Sequence, residues 1–301
     1  MDTPAAAFRT KKEFLKIYKK KSRMREFYVR FTKNKTAVIG IIIFILVVIL
    51  AVFAPVIANY EDLAIKVDVP NRLQPPSARN LMGTDEMGRD VFARIAHGAR
   101  ISLTIGLTAV GFGVAVSLII GSISGFFGGK IDFAIMRVID VFLCLPDVLL
   151  ALAIVGAFGA SIFNLIISVG VAQIPWFSRI VRAAVMSVRS NEYVEAARAI
   201  GARNGRIITR HILINCIGFM IVQVTMSVAS AILCISTLSF IGLGIQAPVP
   251  EWGNMLASGR AYMRDNAYLV IAPGFAIFFT ILSLNLLGDG LRDTLDPRLK
   301  Q

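Results

Sequence analysis

A chain of 301 residues that is 56% apolar and only 17% charged lacks the roughly 25% of charged residues with which a soluble domain covers itself, so a soluble globule of this size is excluded. The apolar residues fall in blocks separated by short polar stretches, and each bilayer crossing needs roughly 20 of them. A formal net charge of +13 would suggest nucleic acid in a soluble protein, but 12 of the 32 basic residues precede residue 37 and seven more lie between Arg179 and Arg210. Basic clusters beside apolar blocks are the mark of cytoplasmic flanks, and no nucleic acid is expected as a partner.

Residues 1–36 read as a basic cytoplasmic segment. Phe14, Tyr18, Phe27, Tyr28 and Phe31 recur there at helical spacings, consistent either with a helix lying in the headgroup layer or with a basic tail lacking fixed structure. Residues 37–57 are an uninterrupted apolar run, the first transmembrane helix. It begins too late and is too long for the apolar part of a cleavable signal peptide. Residues 58–100 are polar, with Pro70, Pro75 and Pro76, and by alternation form an extracytoplasmic loop ending in a possible short helix to Arg100.

Residues 101–288 form the core. Its first span, Ile101 to Phe126, carries Gly113, Ser117, Gly121 and Gly125 at steps of four, a spacing that lets a second helix backbone approach closely. A third span runs from Asp132 to Phe158 with Pro146 inside it, and a fourth from Ile162 to Arg182. Residues 183–211 are a polar, Arg-rich loop. A fifth span covers Ile212 to Leu243 and a sixth Tyr268 to Leu287, with residues 244–267 outside and 289–301 a cytoplasmic tail. This all-α, six-span topology with both termini cytoplasmic places 24 basic residues inside and 8 outside, six of the latter in the long first loop, where charge weighs little.

Arg137, Asp140, Cys144 and Asp147 follow a three-and-four spacing in the third span and share one face. Charge within a bilayer costs a few kcal/mol per residue, so Arg137, Asp140 and Asp147 are expected in the bundle interior or along a pathway, with Arg137 pairing Asp140 and Asp147 satisfying backbone freed by Pro146. Cys144, Cys216 and Cys234 read as packing residues, without the spacing of a disulfide or metal framework. His97 and His211 fall on opposite sides of the membrane, which excludes a shared metal site and most catalytic triads. Residues 125–131 superficially match a phosphate loop, but Ser124 stands where its first Gly belongs and Ile131 where Ser or Thr belongs. No catalysis and no metal or cofactor is expected in this chain.

The most informative stretch is Glu192-Tyr-Val-Glu-Ala-Ala-Arg-Ala-Ile-Gly201. Its first residues are good helix formers, Gly201 suits the left-handed position that ends a helix, and residues 204–214 can resume one. A short helix, turn and returning helix on the cytoplasmic face is expected, with Ala196 and Ala197 giving it a thin side that fits a partner's groove and Glu195 offering a charge.

This loop resembles that of the inner-membrane permeases of binding-protein-dependent ABC importers, whose pattern is Glu-Ala-Ala, three residues, Gly, nine residues, Ile-x-Leu-Pro. Glu195, Ala196, Ala197, Gly201 and Leu213 match, while His211 and Ile214 depart from the Ile and Pro. Residues 31–37, 83–90, 176–182 and 287–299 extend the likeness to the C-type permeases of the dipeptide, oligopeptide and nickel branch.

The resemblance implies a non-enzymatic subunit of the bacterial or archaeal cell membrane that lines half of a translocation path beside a second, homologous permease. It also implies an extracytoplasmic substrate-binding protein and two cytoplasmic ATPases, which hold the ATP and Mg. Glu192, Tyr193, Glu195, Ala196, Ala197 and Gly201 would then form the ATPase-docking element. Two rival classes remain: an ion-driven secondary transporter, which commonly shows an internal repeat where none is evident here, and a membrane-embedded enzyme or assembly factor, against which the scarcity of catalytic groups argues. The substrate is not legible.

Overall fold

The computed structural model describes residues 23–295, with side chains placed from Tyr28 onward. The expected aromatic helix side at Phe14, Tyr18 and Phe27 therefore lies outside the described side chains, as does the tail beyond Leu295. Ten helices carry the fold: α1 (Arg23–Lys33), α2 (Lys35–Ile57), α3 (Val91–Phe127), α4 (Gly129–Leu143), α5 (Asp147–Phe158), α6 (Ile162–Arg189), α7 (Glu192–Ala199), α8 (Leu213–Phe240), α9 (Trp252–Gly259) and α10 (Tyr268–Leu295). Among the described residues there is no β-strand, only an isolated bridge between Thr84 and Asp90.

Five helices, α2, α3, α6, α8 with its helical lead-in from Asn204, and α10, are long and apolar enough to cross a membrane, and α4 with α5 makes a sixth when the bent pair is counted as one span. That last pair is bent by 84°. Pro146 removes a backbone donor and biases Leu145 away from helical dihedrals, so the expected single third span is two arms. At about 1.5 Å per residue neither arm alone reaches across a core about 30 Å thick.

The helices overrun the apolar runs that suggested them. α3 starts at Val91, ten residues ahead of Ile101, α6 continues to Arg189 and α10 to Leu295. Hydropathy marks where lipid ends, but nothing in the adjoining polar residues terminates a helix, and Arg, Ala and Leu prolong it. Pro175 lies within α6 without ending it.

Small residues set the tightest contact. A Cβ on Gly113 would sit 2.6 Å from the Gly170 carbonyl oxygen, one on Gly121 2.7 Å from that of Ser178, and one on Gly125 2.8 Å from that of Arg182. The Ser117 hydroxyl lies within hydrogen-bonding distance of the Ile174 carbonyl at 3.2 Å. The stripe expected to meet another helix therefore packs α3 on α6 within this chain. The main core fills the space between these helices, α8 and α10 with Val110, Leu165, Ile232, Ile235 and Leu238.

The connections collect at two opposite ends. At one, Asn34 accepts from the Thr36 and Ala37 amides to cap α2 and donates to Asp293 of α10 at 3.0 Å; α7 lies at this end. At the other, Arg94 donates to the carbonyls of Ala64 (2.8 Å) and Pro248 (3.2 Å), and Tyr268 is hydrogen-bonded to the Thr84 carbonyl at 3.0 Å. The two long loops, residues 58–90 and 241–267, thus interlock in one collar.

Candidate functional site

The α7 loop is built on a second apolar cluster at its own end of the bundle. Val194 and Ala197, one turn apart, are buried with Phe126, Phe177, Val181, Val185, Ile207 and Ile212. Gly201 at φ +80° closes α7: the Ala202 amide donates to the Ala197 carbonyl at 3.0 Å and the Gly201 amide to Arg198 at 2.9 Å. A left-handed residue followed by this back-bond ends a helix cleanly and turns the chain into Asn204–Arg206, the π-helical turns Ile207–Ile212 and α8.

Ala197, expected to enter a partner's groove, is instead inward and 4% exposed. Helical geometry explains this: Val194 and Ala197 are three apart and share a face, and Val194 is the residue that the apolar cluster takes in. The outward surface holds Glu192, Tyr193, Glu195, Ala196 and Ala199, with Ile200 exposed to 85%. Tyr193, Ala196 and Ile200 form a stripe at helical spacing. Sequence reasoning missed Ile200; a large aliphatic residue directly before a helix-ending Gly was the available signal.

A polar clip joins this loop to the rest. Arg182 reaches Asp132 through both Nε and Nη2 at 2.5 Å, the Ser124 hydroxyl bonds the same carboxylate, and Arg189 donates to the carbonyls of Gly125 (3.1 Å) and Phe126 (3.2 Å). The Arg198 guanidinium lies 5.2 Å from the centre of the Phe126 ring. The end of α3, the start of α4, the end of α6 and α7 are thereby coupled.

On α4 the expected Arg137–Asp140 pair is long, at 4.0 Å, and Asp140 is held instead by Arg179 of α6 at 2.5 Å. Arg137 and Asp147 are not in the bundle interior: both are exposed, as is Cys144, and Asp140 is only partly covered. The spacing was sufficient to put them on one face, but that face is one this chain does not cover. Asp147 hydrogen-bonds the Val148 amide next to it at 2.8 Å.

The collar holds the sole wholly buried carboxylate among the described residues. Glu251, 0% exposed, caps α9 by accepting from the Gly253 and Asn254 amides at 2.9 Å each, with Ser102 of α3 at 3.4 Å. Burial pushes this carboxyl above its usual range, partly opposed by those bonds. Next to it, Trp252 donates from Nε1 to the Ile95 carbonyl at 3.1 Å. Among the described residues no cluster of side chains is arranged to hold a metal ion.

Residues 117–301 match the model of the binding-protein-dependent transport system inner membrane component, and residues 22–76 match the N-terminal transmembrane domain of oligopeptide transport permease C. The chain belongs to the binding-protein-dependent transport permeases. This permease is 43% identical over 92% of its length to the dipeptide transport system permease protein of Alkalihalophilus pseudofirmus, 90% of which is covered. It is 42% identical to the di/tripeptide transport system permease protein of Pseudomonas aeruginosa, over 93% of each chain. With the glutathione transport system permease protein of Escherichia coli it shares 41% identity over 91% of its own length and 90% of that protein's. In fold, the permease is similar to a chain of the MetNI methionine ABC transporter in inward-facing conformations, with a TM-score of 0.56, 15% identity, and coverage of 67% of this chain and 96% of that one. It is thus a multi-pass permease subunit of an ABC importer, and the relatives it matches are likewise permease subunits.

Proposed function

We propose that α7 is the element through which ATP hydrolysis on a partner subunit moves this permease, and that the substrate is a short peptide. The observation that carries the coupling reading is the division of α7: Val194 and Ala197 seat it on its own bundle, while Tyr193, Ala196 and Ile200 face outward, with Glu192 and Glu195 also exposed. A large aliphatic side chain exposed to 85% on an anchored surface helix is an apolar patch awaiting a partner. The clip through Arg182, Asp132 and Arg189 then carries a push on α7 into α3, α4 and α6.

In this reading residues 1–36, 183–211 and 289–301 face the cytoplasm and residues 58–100 and 244–267 the other side of the cell membrane. Two cytoplasmic ATPases hold ATP and Mg, a second permease completes the path, and an extracytoplasmic binding protein delivers the peptide, as relatives named for dipeptides, di/tripeptides and glutathione suggest. The open face with Arg137, Asp140 and Asp147 turns toward the second permease and the path, because lipid would leave those charges unsolvated. In the reconstituted importer, Ile200→Glu should leave the permease folded yet lower substrate-stimulated ATP hydrolysis and ATPase copurification about tenfold, equivalent to roughly 1.4 kcal/mol. Unchanged coupling in that variant would remove α7 as the docking element.

A further inference from the structure

A cleft of about 360 Å³ opens at the collar end of the bundle between the end of α2, the turn that follows it and α3, lined by Pro55, Tyr60, His97, Arg100 and Ile101. Three observations describe what it accepts. The first is depth. The 23 residues of α2 rise about 34 Å at 1.5 Å each, matching the bilayer core of about 30 Å, so Pro55 and Tyr60 stand where hydrocarbon gives way to headgroups. On α3 the change from charged to apolar falls between Arg100 and Ile101, at the same cleft.

The second is an unused cation. Arg100 is exposed, and its guanidinium makes no hydrogen bond or ion pair among the described residues, in contrast with Arg89 and Arg94 nearby, which are both tied to Asp85. The third is the fixed polar wall. His97 is 4% exposed, held by the Ala58 carbonyl at 2.9 Å and set edge-on to Tyr60 with ring centres 4.9 Å apart. Since a carbonyl only accepts, Nε2 carries the proton, and the Tyr60 ring is braced with its hydroxyl making no hydrogen bond among the described residues.

We infer that this cleft binds a membrane phospholipid, with the phosphodiester against the Arg100 guanidinium and the Tyr60 hydroxyl and an acyl chain along Pro55 and Ile101. Arginine is suited to a phosphodiester because its planar fork donates two parallel hydrogen bonds to two oxygens. The apolar wall below the cation separates a lipid from a free anion: inorganic phosphate would use Arg100 and leave Pro55 and Ile101 wet. A lipid seated here would tie the first span to the core at the level of the collar.

Native mass spectrometry of the intact importer, delipidated in detergent and titrated with phosphatidylglycerol, tests this. The wild-type complex should retain phosphatidylglycerol, Arg100→Gln should lose about tenfold in apparent affinity, in line with a charge-assisted bidentate contact, and Arg100→Lys should recover part of it. Because the Arg100 side chain is exposed and unpaired, both variants should fold, which melting of the complex would verify. Equal retention by wild type and Arg100→Gln would overturn the site. Displacement of the lipid by millimolar inorganic phosphate would show a simple anion site, and protection of an Arg100→Cys thiol from labelling in fully delipidated complex would show that another subunit covers the cleft; either result also overturns it.

Discussion

Arg182 of α6 grips Asp132 in the first turn of α4 with two parallel hydrogen bonds of 2.5 Å each, and so ties α6 to α4 just beyond the turn at Gly128. The pair is partly exposed, with 30% and 15% of the two side chains accessible, so water screens it and its worth is below that of a buried ion pair. Breaking it by Asp132→Asn should lower stability by about 1–2 kcal/mol, the range of a charge-assisted bond after that discount. A double-mutant cycle with Arg182→Gln, followed by thermal unfolding in detergent, should give a coupling energy of the same order; additive effects would mean the two groups do not act as a pair.

Gly121→Ala should be more harmful than its size suggests. The added methyl would lie 2.6 Å from Val181 Cβ and 2.7 Å from the Ser178 carbonyl oxygen, so α3 and α6 must separate, at a cost of about 1–3 kcal/mol for overpacking. At Gly111, where a Cβ meets nothing within 4 Å, the same change should stabilise slightly through helix propensity. Melting temperatures of the two variants should move in opposite directions.

For α7 the folded chain reverses an expectation. Ala197→Arg does not merely block docking: it forces a cation into the cluster of Val185, Ile207 and Ile212, and burial of an unpaired charge costs several kcal/mol. Limited proteolysis should cut this variant within residues 190–212 before any ATPase is added. Resistance equal to the wild type would show that Ala197 is free to face a partner.

Glu251 makes stability depend on pH in a definite direction. Burial raises its folded-state pKa above the unfolded value, so the folded chain holds this proton more tightly than the unfolded chain does. Its contribution is fully present below the unfolded pKa, about 4.3 for a glutamate, and declines as pH rises through the folded value. The facing groups, the Gly253 and Asn254 amides and the Ser102 and Ser239 hydroxyls, are neutral and do not reverse that sign. Relative to Glu251→Gln, which cannot ionise, the wild type should lose stability as pH climbs from 4 to 7. A gap that stays constant, or moves the other way, would contradict it.

The sequence by itself determined the membrane class, the site of the α7 loop and the close-packing stripe from Gly113 to Gly125. Each depends on local composition or on a spacing that a helix converts directly into a face, and lipid allows few alternatives to helices. Tertiary structure decided which way those faces turn. Spacing gave Val194 and Ala197 one side of α7, and only the position of Phe126, Val185 and Ile207 made that side the inner one. Spacing likewise aligned Arg137 with Asp140, yet Arg179, from a helix 39 residues on, took the carboxylate. The α3 stripe could have met any helix until α6 offered the Gly170, Ser178 and Arg182 carbonyls to it. Glu251 and the Asp132 clip were illegible for the same reason: a buried carboxylate is chosen by partners brought together from distant segments, and their distances exist only once the helices have packed.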